Sequence, residues 1–225
     1  LGRIMRTLAI GDIHGSNNAL TALCDYVNFH SDDIIVTLGD YIDRGPDSKE
    51  VIDALIELRK NYRVITLKGN HEVMMENSLI SEQERYFWLY NGGEATMRSF
   101  DLQPPLLSKE DIPQTYWDFF QSCEPYYEAD NHILVHAGLE PETDLKDQEE
   151  NFTLWQRIFE TKPHKSGKTI VCGHTPQLEG YPLKLDHAIC IDTSACRDGW
   201  LTCLDIDSGH YWQANEAGET RQGSL

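Results

Sequence analysis

Ile34-Ile35-Val36-Thr37-Leu38-Gly39-Asp40-Tyr41-Ile42-Asp43-Arg44-Gly45 decides the reading of this chain. Ile34 to Leu38 is a continuous apolar, β-branched run, the pattern of a strand buried on both faces. Asp40 then leaves the carboxyl end of that strand, where open α/β sheets bind ligands. Gly39 removes a side chain where something must approach the backbone closely. The same segment supplies Asp40, Asp43 and Arg44. An acid that can hold a cation beside an arginine that can hold an anion is the layout expected where a metal acts on phosphate.

The flanking sequence repeats this device. Residues 6–11 read as an earlier strand ending in Gly11-Asp12-Ile13-His14-Gly15. A helix follows from about residue 17, with Ser16 as N-cap and Ala19, Leu20, Leu23 and Val27 on one face. After the central motif, Asp47 to Glu50 has the spacing of a capping box, and Val51, Ile52, Leu55 and Leu58 form a helical stripe. Tyr62 to Leu67 is a third strand, ending in Gly69-Asn70-His71-Glu72. Strands alternating with helices imply βαβ units and a parallel core sheet.

Residues 72–100 have a helical pattern with a break at Asn91-Gly92-Gly93, and 113–122 form an aromatic-rich helix with Pro113 in its first turn. Together, residues of about 72–122 are expected to form a helical cap insert over the site, with Tyr86-Phe87-Trp88-Tyr90 as core. Ile133 to Val135 leads to His136, and Thr169 to Cys172 leads to Gly173-His174. Phe152 to Phe159 reads as a short helix carrying Trp155 and Arg157. Residues 140–150 read as an exposed acidic loop. The tail alternates apolar and polar residues over 183–191, 200–206 and 210–214, which suggests antiparallel strands in a second sheet. The expected whole is a single α/β domain over 1–225, without linkers or internal repeats.

Composition narrows the classes. The 225 residues are 40% apolar, enough for a core, and carry a formal charge of −18. A field of that sign repels nucleic-acid polymers and anionic membranes, so a phosphate substrate would need local positive charge. No apolar run approaches the roughly 18 residues that span a bilayer. The six cysteines are scattered without Cys-x-x-Cys and read as reduced, buried thiols. With no export signal at the start, a cytoplasmic location is the expectation; Met5 is a candidate start, with Leu1 to Arg3 a remnant ahead of it.

Asp12, His14, Asp40, Asn70, His136 and His174 all stand at strand exits. Carboxylate, amide and imidazole without thiolate suit Mn²⁺, Fe or Zn²⁺. Six ligands are too many for one catalytic ion and suit two, about 3.5–4 Å apart, sharing one carboxylate. Asp40 is the natural bridge, with Asp12 and His14 on one ion and Asn70, His136 and His174 on the other. Water between two dications becomes hydroxide near neutral pH and can attack phosphorus in line. Arg44 and Arg157 can clamp phosphoryl oxygens. His71 can protonate the leaving alkoxide, with Asp43 keeping its imidazole charged.

Five motifs in this order, at 11–15, 39–45, 69–72, 136–138 and 173–176, resemble those of the calcineurin-like metallophosphoesterases. Within that superfamily the chain is similar to the compact bacterial and phage-type phosphoprotein phosphatases. The resemblance covers residues 7 to about 195 and departs from the eukaryotic enzymes at Ala137, where they usually carry glycine. It implies a metallo-dependent phosphatase fold, with two mixed β-sheets packed as a sandwich flanked by helices. It also implies two metals on the six residues above, His71 as general acid paired with Asp43, and phosphate bound by Arg44, Arg157 and Asn70. The expected activity is that of a serine/threonine protein phosphatase acting on phosphorylated protein or peptide. A symmetrical dinucleoside tetraphosphate hydrolase, or another small-molecule phosphoesterase, is the alternative. Hydrolases of that kind often carry Asp where this chain has Glu72. A metal-binding scaffold without catalysis is a third reading, opposed by the presence of every ligand and of the general acid.

Overall fold

The computed structural model describes residues 5–225. The expectation for Leu1 to Arg3 lies outside the described residues. Its first half follows the predicted alternation: β1 (Thr7–Ile10), α1 (Asn17–Val27), β2 (Ile34–Thr37), α2 (Ser48–Asn61) and β3 (Arg63–Thr66). β1 and β2 are parallel, as are β2 and β3. The insert contains α3 (Asn70–Asn77), α4 (Glu82–Trp88), a π-helical turn at Leu89–Gly93, α5 (Glu94–Ser99) and α6 (Gln114–Gln121). The expected break is real: Gly92 has φ 113° between the two helical runs. β4 (Tyr126–Glu128), β5 (His132–Val135), α7 (Glu150–Trp155), β6 (Thr169–Cys172), β7 (Leu183–Lys184), β8 (Ala188–Cys190), β9 (Leu201–Asp205), β10 (His210–Ala214) and β11 (Thr220–Ser224) complete the chain.

The strands form two mixed sheets, ordered β11-β10-β9-β1-β2-β3 and β4-β5-β6-β8-β7. Side-chain alternation assigns each face. Ala9, Val36, Leu134, Val171, Ile189 and Leu204 meet between the sheets. Leu8, Ile10 and Ile35 point the other way, into the cluster formed with α1, α2 and the insert. Ile133, Val135, Ile170 and Cys172 cover the outer face of the second sheet with Ile158. These layers make the predicted sandwich flanked by helices.

The tail departs from expectation. Only β7 and β8 join the second sheet, where β8 runs parallel to β6. β9 instead pairs antiparallel with β1, and β10 and β11 follow it outward in the first sheet. This placement covers the free edge of β1, whose amides and carbonyls would otherwise lack partners. β11 carries little apolar signal (Thr-Arg-Gln-Gly-Ser) and was invisible to periodicity.

Several local expectations also fail. Ser16 and Asp47 stand at helix starts, but neither side chain makes a capping hydrogen bond. The Lys49 amide donates instead to Ser99 Oγ at 3.2 Å, so the first turn of α2 is tied down by α5. Of the expected aromatic core stripe only Trp88 is buried; Tyr86, Phe87 and Tyr90 are exposed. The α7 helix stops at Trp155, and Gln156 and Arg157 are extended rather than helical.

One ion pair pins the sheet. Asp33, at the entrance to β2, is buried and receives Nε of Arg6 at 3.0 Å, a second bond from Arg6 Nη2, and the His30 amide at 2.8 Å. Burial alone would raise the Asp33 carboxyl, but these donors hold it below its ordinary value. A carboxyl so lowered stabilises the fold above its unfolded pKa of about 3.9, and that contribution is lost as pH falls through the folded value. Asp33→Ala should therefore lower the unfolding free energy at pH 7 by about 1–3 kcal/mol. Urea titrations should show the gap to the parent chain shrinking at pH 3; an undiminished gap would assign the loss to packing.

Candidate active site

Four of the predicted site segments leave the carboxyl ends of β1, β2, β5 and β6, and Asn70 and His71 follow β3 by four residues, in the first turn of α3. The backbone is forced there. His14, Asp40, Asp43, Arg44 and His174 all have positive φ, between 46° and 73°, a region that non-glycine residues rarely occupy. Gly39, at φ 97°, allows the β2 exit to touch the next one: a Cβ on it would lie 2.6 Å from the Gly69 amide nitrogen.

Asp40 sits at the centre. Its carboxylate is 3.4 Å from His14 Nε2, 3.5 Å from His136 Nε2 and 3.9 Å from His71 Nε2, and it accepts the His71 amide at 3.0 Å. Two groups of potential metal-holding atoms share it, His14–Asp40–His71 and Asp40–His136–His174. Asn70 Oδ1 lies 2.9 Å from His136 Nε2 and 3.1 Å from His174 Nδ1, so it belongs with the second group. Asp12 is also brought in but turned differently. Its Oδ2 accepts the His174 amide at 2.9 Å, while Oδ1 is buried with no hydrogen-bond partner. Asp12 therefore keeps one carboxylate oxygen, Oδ1, without a protein partner at the site, while the His174 N–H is the donor that Oδ2 meets.

Imidazole orientation is set from behind. His14 Nδ1 and His136 Nδ1 each lie 2.8 Å from a backbone carbonyl, of Ile42 and Leu38. Those carbonyls can only accept, so Nδ1 carries the proton and Nε2 presents a lone pair to the site. Burial lowers the pKa of His14 and of His136, and takes His174 down to about 3. Three neutral imidazoles are therefore available as ligands. Burial also disfavours charge on His71, yet Asp40 and the 2.7 Å bond from Nδ1 to Asp43 outweigh it, and its pKa is raised.

The residue set fits divalent cations. Burial and the charges of Asp192 and Asp40 push Asp12 well above the usual carboxylate range, and its Oδ1 is orphaned. A Cβ at Gly173 would collide with that oxygen, so glycine keeps the space open. Crowded carboxylates with neutral imidazoles around them call for bound positive charge.

The two arginines occupy opposite sides. Arg44 Nη1 is 2.6 Å from His14 Nε2, and Arg157 Nη1 donates to the His174 carbonyl at 3.0 Å. Both are exposed, and neither forms an ion pair with a carboxylate among the described residues.

Sequence reasoning missed the groups that hold this set in place. Asp43 is fully buried and receives Trp88 Nε1 at 2.8 Å and Thr96 Oγ1 at 2.6 Å, while its own amide donates to Thr96 and Ser48. Thr96 and Ser48 lie in no motif. Asp192 is buried just beyond β8, and burial takes it up to about 6; the pattern of an acid after a strand was its available signal. Glu72 is no surface charge at a helix start. It is fully buried, and its carboxylate accepts the amides of Asp40 at 2.9 Å, Tyr41 at 2.8 Å and Gly69 at 2.9 Å.

A family model described as calcineurin-like phosphoesterase matches residues 5–201. Serine/threonine-protein phosphatase 1 of Salmonella typhimurium is 38% identical over 208 residues, covering 88% of this chain and 90% of that protein. A symmetrical bis(5'-nucleosyl)-tetraphosphatase of Wigglesworthia glossinidia brevipalpis is 29% identical over 144 residues, 61% of this chain; the chain spans about half of that relative's length, 46%. A crystallised cold-active protein tyrosine phosphatase shares the fold, with a TM-score of 0.68 and 17% identity over 98% of this chain and 79% of that one.

The Glu72 clasp generates a prediction. Glutamine offers one oxygen where three amides need acceptors, and turns an NH₂ towards an N–H. Glu72→Gln should weaken manganese binding by about 10- to 100-fold through misplacement of Asp40. Calorimetric titration measures this; unchanged affinity would show that Asp40 holds its position without the clasp.

Proposed function

The chain belongs to the calcineurin-like phosphoesterase family, and on that footing we propose that it is a dinuclear-metal phosphomonoesterase acting on phosphoserine and phosphothreonine in proteins. Asp12, His14, Asp40, Asn70, His136 and His174 would hold two divalent cations, Mn²⁺ first, with Fe or Zn²⁺ as alternatives. Such cations supply positive charge to phosphoryl oxygens and lower the pKa of a bound water.

The protein's own groups do the rest. Arg44 and Arg157, free of carboxylate partners among the described residues, bind phosphoryl oxygens from two sides, and the Asn70 amide adds a further contact. His71 gives the proton on Nε2 to the departing alkoxide oxygen, while Asp43 holds Nδ1–H and stabilises the charged ring. Trp88 and Thr96 fix the Asp43 carboxylate so that it faces His71.

The observation that carries this reading is geometric: side chains from separate strand exits converge on the Asp40 carboxylate, with His14 Nε2 at 3.4 Å and His136 Nε2 at 3.5 Å, while the His71 ring beside them is held through Nδ1 by Asp43 at 2.7 Å. The protein substrate is favoured by the relative matching along nearly the whole of both chains, whose name is that of a serine/threonine phosphatase. Glu72 in place of Asp agrees. A second reading, hydrolysis of a symmetrical dinucleoside tetraphosphate, is supported by several relatives of that name that match part of the chain. A non-catalytic scaffold is disfavoured because the general acid and its partner are present and in contact.

Manganese-loaded protein should hydrolyse an aryl phosphate, and His71→Asn should cut kcat by about 10²- to 10⁴-fold with metal content retained. No difference between parent and variant would end the enzyme reading. With one preparation, a phosphothreonine peptide should turn over faster than diadenosine tetraphosphate; the reverse order would select the second reading.

A further inference from the structure

The segment Trp155 to Phe159 was expected to be helical, and its departure from a helix has a chemical result. The helix stops at Trp155, the chain runs extended through Gln156 and Arg157, and a single 3₁₀ turn begins at Ile158. Ile158 is fully buried beneath the second sheet, and its amide donates to Thr175 Oγ1 at 3.0 Å. That anchor turns Arg157 and Phe159 outward on either side of it. Trp155 is 38% exposed and Phe159 73% exposed.

The indole of Trp155 meets the imidazole of His174 edge to face, with centroids 6.2 Å apart and an interplanar angle of 84°. Arg157 reaches the carbonyl of the same histidine. Two exposed aromatic side chains therefore stand two residues before and two residues after Arg157 in one short segment, Trp155 of them against a candidate metal ligand. Single exposed apolar residues are ordinary. Here two of them share a segment with a guanidinium that has no carboxylate partner among the described residues, next to the candidate phosphate site.

We propose that Trp155 and Phe159 form an apolar shoulder that selects phosphoproteins with a large aromatic or aliphatic side chain one or two positions from the phosphorylated residue. The inference rests on the phosphoprotein reading of the site. Each residue of an extended peptide advances about 3.3 Å. With the phosphate between Arg44 and Arg157, a neighbouring residue comes within reach of an indole that lies one ring away from His174. An aromatic pair so formed adds affinity without touching phosphorus, so its effect belongs mainly in KM.

The test uses the manganese-loaded full chain and two phosphothreonine peptides, identical except for phenylalanine or glycine flanking the phosphothreonine. The parent protein should show a KM roughly 3- to 10-fold lower for the phenylalanine peptide. Trp155→Ala should bring the ratio of the two KM values close to one, and Phe159→Ala, at a more exposed position, should reduce it. Equal KM values in the parent, or a ratio that survives both substitutions, overturns the proposal and leaves the phosphatase reading standing. Loss of manganese from Trp155→Ala on elemental analysis, with the ratio intact in Phe159→Ala, overturns it in favour of a packing role on His174. A defect confined to diadenosine tetraphosphate overturns it in favour of base stacking. Absence of turnover of every phosphoester by the parent protein removes the phosphatase reading, and the shoulder with it.

Discussion

A single buried carboxylate, that of Asp40, is surrounded by four imidazoles. Burial alone would neutralise it, yet its pKa lies well below the usual carboxylate range; with the other three rings neutral, the positive charge beside it is that of His71, whose amide also donates to it at 3.0 Å. An ionised group at that depth is tolerated only when its surroundings are fixed in advance. The β2 exit supplies the position, Gly39 and Gly69 the room, and Glu72 the restraint, by binding the Asp40 amide and both neighbouring segments. The two sheets bring the ends of β1, β2, β3, β5 and β6 together, so that candidate ligands far apart in sequence share this charge.

The parts legible in the sequence were those with a short period or a short motif. β1 to β3 and α1 to α2 follow from apolar runs and stripes; glycine-led exits mark five of the six candidate ligands, His71 and Arg44, while His136 directly follows the apolar run of β5. Long-range constraints were not legible. β9 finds its sheet because β1 has a free edge, which no local pattern announces. Thr96 reaches Asp43 across 53 residues, and Ser48, the first residue of α2, joins the same cluster. Capping residues misled for that reason: Ser16 and Asp47 have the right chemistry, but neighbouring elements supply or displace their partners. Arg157 reaches the His174 carbonyl from an extended stretch anchored by Ile158, where the sequence pattern suggested a helix.

Catalytic parts and selectivity parts are distributed differently. Relatives named for unlike substrates match this chain, so membership of the family does not by itself fix the substrate, and the surroundings of the candidate site are where discrimination would arise. The helical insert contributes Trp88 and Thr96 to the buried shell of Asp43, and its Gly92 carbonyl accepts the Arg44 amide at 3.2 Å. The insert thus stands behind Asp43 and Arg44, while Trp155 and Arg157 lie against His174. A negatively charged chain with exposed arginines at this cleft also concentrates its attraction for anions there.

Five residues of the site keep a left-handed backbone despite carrying side chains. Each such conformation costs of order 1–3 kcal/mol, borne by the sandwich around it. Thermal tolerance and function therefore compete at the same positions. Glycine at His14, Asp40 or His174 would relax the chain while deleting the side chain that gives the position its use. Selection for heat resistance alone would drift towards a sturdier but inert protein.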